Sequence, residues 1–226
     1  MRKPPDFDVV VVGELNLDLV LRGEVTPAFG QVEQLVEAAD LTVGSSAAIC
    51  ACGLARLGLR VAFVGVAGDD EFGRMLARDL AARGIETGGI RLDPALRTGL
   101  SVILSRPADR AILTFPGAIP ALRIGDIDDR WLSAARHLHL GSYFLLDALR
   151  PDVPRLFDHA HALGLTISLD TNYDPAERWQ AGDALARVDL LLPNEAEARA
   201  LSGRPDTADA IEALAERVPC LAVKLG

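Results

Sequence analysis

Residues 8–18 read Asp-Val-Val-Val-Val-Gly-Glu-Leu-Asn-Leu-Asp. Four successive valines show no polar alternation, so the strand they predict (Asp8–Val12) has both faces covered. The run ends at Gly13 and gives way to polar residues, the pattern of a strand stopping at a ligand-facing rim. Further along, Val61–Val66, His137–Gly141, Thr166–Asp170, Asp189–Leu192 and Leu221–Leu225 predict strands of similar type. Between them, helical spacing predicts helices near Ala47–Leu57, Glu71–Ala82, Ile127–Ala135, Val153–Leu163, Glu195–Leu201 and Thr207–Val218. Gly58, Gly84, Gly164 and Gly203 stand where helices stop in a left-handed residue. Alternation of this kind predicts an α/β fold, with a mostly parallel sheet and helices on both faces.

Two stretches depart from it. Glu14–Gly44 lacks a helical period, and Val32–Val43 within it reads as strand. Thr98–Ser105 and Ala111–Phe115 flank a polar Arg106–Arg110 turn, which reads as a hairpin. These pieces predict a small β-appendage beside the main sheet. No repeat or linker divides residues 1–226, so one domain is expected.

The chain of 226 residues is 50% hydrophobic and 24% charged, a globular balance with ample apolar surface for a core. Its net charge of −9 at pH 7 offers no basic face in bulk, which argues against a nucleic-acid partner. No stretch approaches the ~18 apolar residues of a membrane span. Residues 1–8 hold no apolar core of a signal peptide. Cys50, Cys52 and Cys220 do not form a disulfide framework, so a cytoplasmic location is expected.

Small or polar residues recur at the strand ends: Gly13 to Asp18, Gly68-Asp69-Asp70, Gly141-Ser142-Tyr143, Asp170 to Asp174, Pro193 to Glu197, and Lys224-Leu225-Gly226. Each alone can be turn chemistry; together they outline a hydrophilic pocket. Gly44-Ser45-Ser46 opens a helix of small residues suited to close packing, and its first N–H groups can also face a hydroxyl-rich or anionic ligand. Asp18, with Asn16 nearby, can accept hydroxyl hydrogen bonds from a sugar, or can be a solvated turn acid. Asn194 and Glu197, spaced i, i+3, can organise phosphate and Mg²⁺-bound water, or can cap their helix. His137 and His139 share a strand face, where a structural role outweighs a metal pair. His159 and His161 point apart on a helix. No P-loop, G-x-G-x-x-G, G-x-S-x-G or H-E-x-x-H is present.

Taken in order, these pieces resemble the ribokinase-like (PfkB-type) carbohydrate kinases. The resemblance rests on Gly13-Glu14-Leu15-Asn16-Leu17-Asp18, Gly44-Ser45-Ser46 through Gly58, Gly65 to Gly73, Thr98-Gly99, Phe115-Pro116-Gly117-Ala118, Asp170-Thr171-Asn172, Asn194 to Glu197, and Val223 to Gly226. It implies a three-layer α/β/α sandwich with a β-sheet lid, formed by about 14–44 and 98–116, through which two copies can pair. The implied reaction moves the ATP γ-phosphoryl group to a sugar hydroxyl with Mg²⁺. Asn16, Asp18, Gly44, Ser45 and Asn172 would hold the sugar. Asn194, Lys224 and Gly226 would meet the nucleotide, and Glu197 the metal.

Two departures accompany the resemblance. Ser45 replaces a glycine of the family signature, and Ile49 falls where a sugar-facing Asn would align. The catalytic-base motif Gly-Ala-Gly-Asp is not in the sequence, so the base is expected beyond Gly226 and these residues alone are expected to lack kinase activity. The alternatives are a non-catalytic sugar- or nucleotide-binding module and a nucleoside kinase of the same fold.

Overall fold

A computed structural model describes residues 5–107 and 109–225. Gly226, expected to meet the nucleotide, lies outside the described residues. The body opens with β1 (Val9–Val12), leaves for β2 (Asn16–Arg22) and β3 (Ala38–Val43), and returns through α1 (Ser46–Arg56) and β4 (Val61–Gly68). It continues as α2 (Glu71–Ala82), β5 (Glu86–Asp93), β6 (Gly99–Ser105), β7 (Arg110–Phe115), α3 (Asp129–Ser133) and β8 (His137–Gly141). The remainder is α4 (Val153–Ala162), β9 (Thr166–Asp170), α5 (Gly182–Leu185), β10 (Leu190–Leu191), α6 (Glu195–Ser202), α7 (Thr207–Ala215) and β11 (Cys220–Leu221).

Seven strands form one parallel sheet in the order β11-β10-β9-β8-β1-β4-β5. The valines of β1 explain its central place. Val9 and Val11 bury against α1 and α2, with Ala47, Ala51, Leu76 and Leu80. Val10 and Val12 bury on the opposite face, with Trp131 of α3, Phe157 of α4, Ala198 of α6 and Leu214 of α7. Two cores on two faces make the three-layer sandwich. Each fully buried Phe or Leu contributes roughly 1.5–3 kcal/mol by leaving water. The order reverses at β1, since the chain adds β4 and β5 on one side and β8 to β11 on the other. Such a switch point opens a crevice at the carboxyl ends of the strands.

The second sheet has four strands in the order β3-β2-β6-β7, with β2 and β6 parallel and the outer pairs antiparallel. It is the expected appendage, with narrower strands. The Val32–Val43 run becomes strand only from Ala38, because residues 32–37 are exposed and lack a partner strand. At the other end, Leu221–Leu225 shortens to Cys220–Leu221, followed by a lone parallel bridge between Asn194 and Lys224. The four glycines expected to stop helices all have positive φ, between 70° and 87°. Among the described residues no helix is long and apolar enough to cross a membrane.

Candidate functional site

The site begins where α1 starts. Its first turn rests on Gly13 and Gly141, the residues that close β1 and β8. A Cβ on Gly13 would come within 2.5 Å of the Ala47 Cβ, and one on Gly141 within 2.9 Å of the same atom. Two glycines therefore let the helix start sink between two strand ends at the switch point.

Glu14 follows Gly13 and is 3% exposed. Its Oε1 accepts from Ser46 N (2.6 Å), Ser46 Oγ (3.0 Å) and Ala47 N (3.3 Å). Ser45 caps the next group, accepting from Ala48 N at 3.0 Å, and its carbonyl takes Ile49 N at 3.0 Å. Three of the N–H groups that open α1, those of Ser46, Ala47 and Ala48, are thus held inside the protein. A carboxyl group of the chain sits at this pole, so of the helix-start groups expected to face a hydroxyl-rich or anionic ligand, those of Ser46, Ala47 and Ala48 are turned to the protein instead.

Hydroxyls extend this network. Ser46 Oγ lies 3.1 Å from Ser142 Oγ, and the Asn172 side-chain amide donates to both, at 2.9 Å for Ser142. Ser45, Ser142 and Asn172 all hold positive φ (65°, 54° and 52°). Non-glycine residues in that region carry strain, which gathers at functional sites.

On the lid side, Asn16 and Asp18 lie at the start of β2. Asn16 Nδ2 donates to Asp18 Oδ1 (3.1 Å) and to Ser101 Oγ on β6 (3.2 Å). Gly44 packs directly over them: a Cβ there would fall on Asp18 Oδ1 and within 2.9 Å of Asn16 Nδ2. Burial pushes the Asp18 carboxyl up, against the hydrogen bond from Asn16 and the charge of Arg110. Asp18 therefore stands in a strand, not in a solvated turn.

On the other side, Asp170 ends β9. Lys224 Nζ meets its Oδ2 at 2.6 Å, and Lys224 pairs by bridge with Asn194. Asn194 and Glu197 cap α6 reciprocally. Asn194 N and Nδ2 donate to the two Glu197 oxygens at 2.8 and 2.7 Å, and Glu197 N returns to Asn194 Oδ1 at 2.8 Å. Burial raises the Glu197 carboxyl, and the nearby Asp170 adds to this.

The structure thus joins the expected residues into one rim. Asp18, Asn16 and Gly44 form its lid end. Ser45, Ser46, Ser142 and Asn172 form the middle, and Asp170, Lys224, Asn194 and Glu197 the far end. Glu14, Ser142 and Asp170 were visible in the sequence only as members of strand-end motifs. Glu14 and Ser142 bond to Ser46 of α1 across 32 and 96 residues of sequence, and Asp170 meets Lys224 across 54. His137 and His139 bracket Ser168 Oγ at 2.7 and 2.8 Å, a hydrogen-bonding role inside the sheet. Among the described residues no three His, Cys, Asp or Glu side chains gather as a metal cage. His159 and His161 pair separately, with Asp129 and Asp189.

A family model for pfkB family carbohydrate kinases matches residues 6–226. The chain is 31% identical over 195 residues to an ATP-dependent ribose-1-phosphate kinase of Halopiger xanaduensis, covering 85% of this chain and 63% of that protein. It is 32% identical over 214 residues to a probable fructokinase-7 of Arabidopsis thaliana, covering 89% and 60%. The chain therefore spans about three fifths of the length of these curated relatives. Among solved structures, a PfkB protein from Polaromonas superposes with a TM-score of 0.81 at 27% identity, covering 97% of this chain and 77% of that one. A ribokinase II from E. coli in complex with ATP and Mg²⁺, described as putative, shares the fold with a TM-score of 0.80 at 24% identity, covering 97% and 73%. The seven-stranded parallel sheet, its four-stranded companion and the match across nearly the whole chain place this protein in the pfkB family of carbohydrate kinases.

Proposed function

We propose that the protein transfers the γ-phosphoryl group of ATP to a hydroxyl of a carbohydrate, in the cytoplasm where ATP is supplied. The observation that carries this reading is the unbroken polar rim, from Asp18 on the lid to Asn194 at the far strand ends. A polyol and a triphosphate laid end to end need such a rim. Asp18, Asn16 and Asn172 supply carboxylate and amide groups to sugar hydroxyls, with the Gly44 and Ser45 backbone beside them. Lys224, Asn194 and the segment that continues to Gly226 face the nucleotide.

Mg²⁺ fits this donor set through water. The oxygens of Glu197 each retain a lone pair beyond the Asn194 bonds, Asp170 lies close by, and Mg²⁺ keeps several of its own waters. The ion, when bound, neutralises phosphate charge during transfer. The chain's residues then position the acceptor and exclude water, as the lid closes over the sugar. No Gly-x-Gly-Asp occurs among the 226 residues. The carboxylate that removes the hydroxyl proton is therefore assigned to no residue here, and the rim supplies the binding half of the reaction.

The second reading is a sugar- or nucleotide-binding module without turnover, since the same rim would serve binding alone. Sugar-dependent ADP release, measured with a panel of neutral hexoses and pentoses, separates the two. Release that appears only when the chain is extended by a Gly-Ala-Gly-Asp-bearing segment supports the kinase. Release by these 226 residues alone refutes the assignment of the base elsewhere. Sugar binding without release from either form supports the module.

The lid supports a homodimer as part of this proposal. Leu113 and Phe115 on its edge strand β7 are 61% and 56% exposed. Light scattering should report two copies, and one after Leu113→Glu; a monomeric parent would refute pairing through this face.

A further inference from the structure

We infer that a second pocket adjoins the sugar end of the rim and takes an acidic group, a phosphate or carboxylate, carried on the substrate itself, with Arg178 as the residue that reads it. The inference rests on the carbohydrate-kinase reading and narrows its substrate class to an acid-bearing sugar. A cavity of about 440 Å³ lies between residues 116–120, 144–150 and 174–180, a volume that suits a small ligand. Each of these walls leaves the sugar end within a few residues. Phe144 follows Ser142 by two positions and Asp174 follows Asn172 by two, and Ser142 and Asn172 meet at 2.9 Å. Pro116 follows Thr114 by two, and the Thr114 hydroxyl lies 3.0 Å from that of Ser101, itself bonded to Asn16. Two residues of chain reach at most about 7 Å, so the cavity borders the groups that hold the sugar hydroxyls.

The acceptors on its wall are committed and a donor is not. Asp174 is 3% exposed, and its oxygens accept from Ala176 N (2.9 Å), Arg178 N (2.8 Å) and Trp179 N (2.8 Å). Asp147 pairs with Arg150 at 3.1 Å, and Arg150 also donates to the Phe144 carbonyl at 3.0 Å. The carbonyls of Pro116 and Pro120 accept from Ile119 N and Ala148 N. The Arg178 guanidinium, by contrast, makes no hydrogen bond or ion pair among the described residues. Its backbone is fixed from both sides. Asp174 holds its N–H, and the next residue, Trp179, stands edge-on to Phe144 with ring centroids 5.5 Å apart. A ligand cation here would face the guanidinium groups of Arg150 and Arg178. An oxyanion instead meets a planar fork of donors whose neighbouring carboxylates are already occupied, the arrangement that grips phosphate or carboxylate through paired N–H bonds.

Matched pairs of probes test this: D-ribose against D-ribose 5-phosphate, D-fructose against D-fructose 6-phosphate, and D-glucose against D-gluconate, with inorganic phosphate alone as a seventh ligand, each titrated calorimetrically into the protein. In at least one pair the acidic member should bind about tenfold or more tightly than its neutral partner. Arg178 is exposed, so Arg178→Gln leaves the core untouched; it should bring that ratio to within about twofold while the neutral-sugar Kd moves less than about twofold. Neutral members that bind as tightly as their acidic partners in all three pairs overturn the inference and leave the kinase reading standing. An acid preference that survives in a cooperatively melting Arg178→Gln protein does the same. Inorganic phosphate bound through Arg178 as tightly as the sugar acids would assign the cavity to a free anion, and overturns it too. Absence of binding by all six sugar compounds overturns both.

Discussion

At Gly44 one hydrogen atom in place of a methyl group keeps Asp18 and Asn16 reachable. The backbone there is not left-handed, so alanine is tolerated by the chain but its Cβ falls on the Asp18 carboxylate. Gly44→Ala should reduce sugar affinity more than about tenfold at a cost below about 1.5 kcal/mol in stability, because the damage is to one flexible side chain. Calorimetric titration beside a urea melt checks the split, and a variant that binds sugar like the parent would show that Asp18 does not need its present position. Deeper in the sheet, a single Ser168 hydroxyl serves two imidazoles, so it donates to one and accepts from the other. Burial pushes His139 down to about 4, with the charges of His137 and Lys224 adding to it. The unfolded chain takes up that proton near the ordinary value of 6.5 and the folded one does not. Stability therefore falls as pH falls from about 6.5 toward 4, by at most about 3.4 kcal/mol from this group. His139→Gln should flatten the slope of urea midpoints across that window; an unchanged slope would assign the pH dependence to other groups.

Among the elements, α2 shows how a helix cap also anchors the lid. Asp70 Oδ1 accepts from Gly73 N (2.9 Å) and Thr98 Oγ1 (2.7 Å), and Oδ2 from Thr98 N (2.9 Å). Burial opposes the ionised Asp70, yet these bonds outweigh it and hold the carboxyl below its usual range. Asp70→Ala should cost about 2 kcal/mol, from a lost cap and a freed Thr98 N–H. It should also speed amide exchange along Gly99–Ser105 at the root of the lid. Exchange confined to α2 would show that the tie to Thr98 carries no strain from the lid. The α2 span was legible from its spacing and its terminal glycine, and so was the hairpin of β6 and β7. β5 was not: Gly88-Gly89 interrupts its apolar run, and its place is fixed by pairing with β4, which no local pattern records. β2 was hidden for a related reason. Its partners, β3 and β6, lie about 20 and 80 residues away, and Asn16 and Asp18 read as polar loop until that pairing buries them.

For the molecule as a whole, the alternation of strand and helix revealed the layers and the strand ends that face the crevice. The direction of the α1 pole could not be seen in the same way. Ser45-Ser46 looks like an open anion site until Glu14, 32 residues earlier, is placed beneath it by the pairing of β1 with β8. From Asp18 the rim passes by Gly44 to Ser46, and on through Asn172, Asp170 and Lys224 to Asn194, and the account depends on that continuity having two ends with separate duties. Calorimetry on two variants tests it most directly. Asp18→Asn should weaken binding of a neutral sugar by at least about tenfold and leave Mg²⁺ with a non-hydrolysable ATP analogue bound as in the parent. Lys224→Ala should do the reverse. Loss of both ligands in either folded variant, or of neither in both, would contradict a rim that holds the sugar at the lid and the triphosphate at the far strand ends.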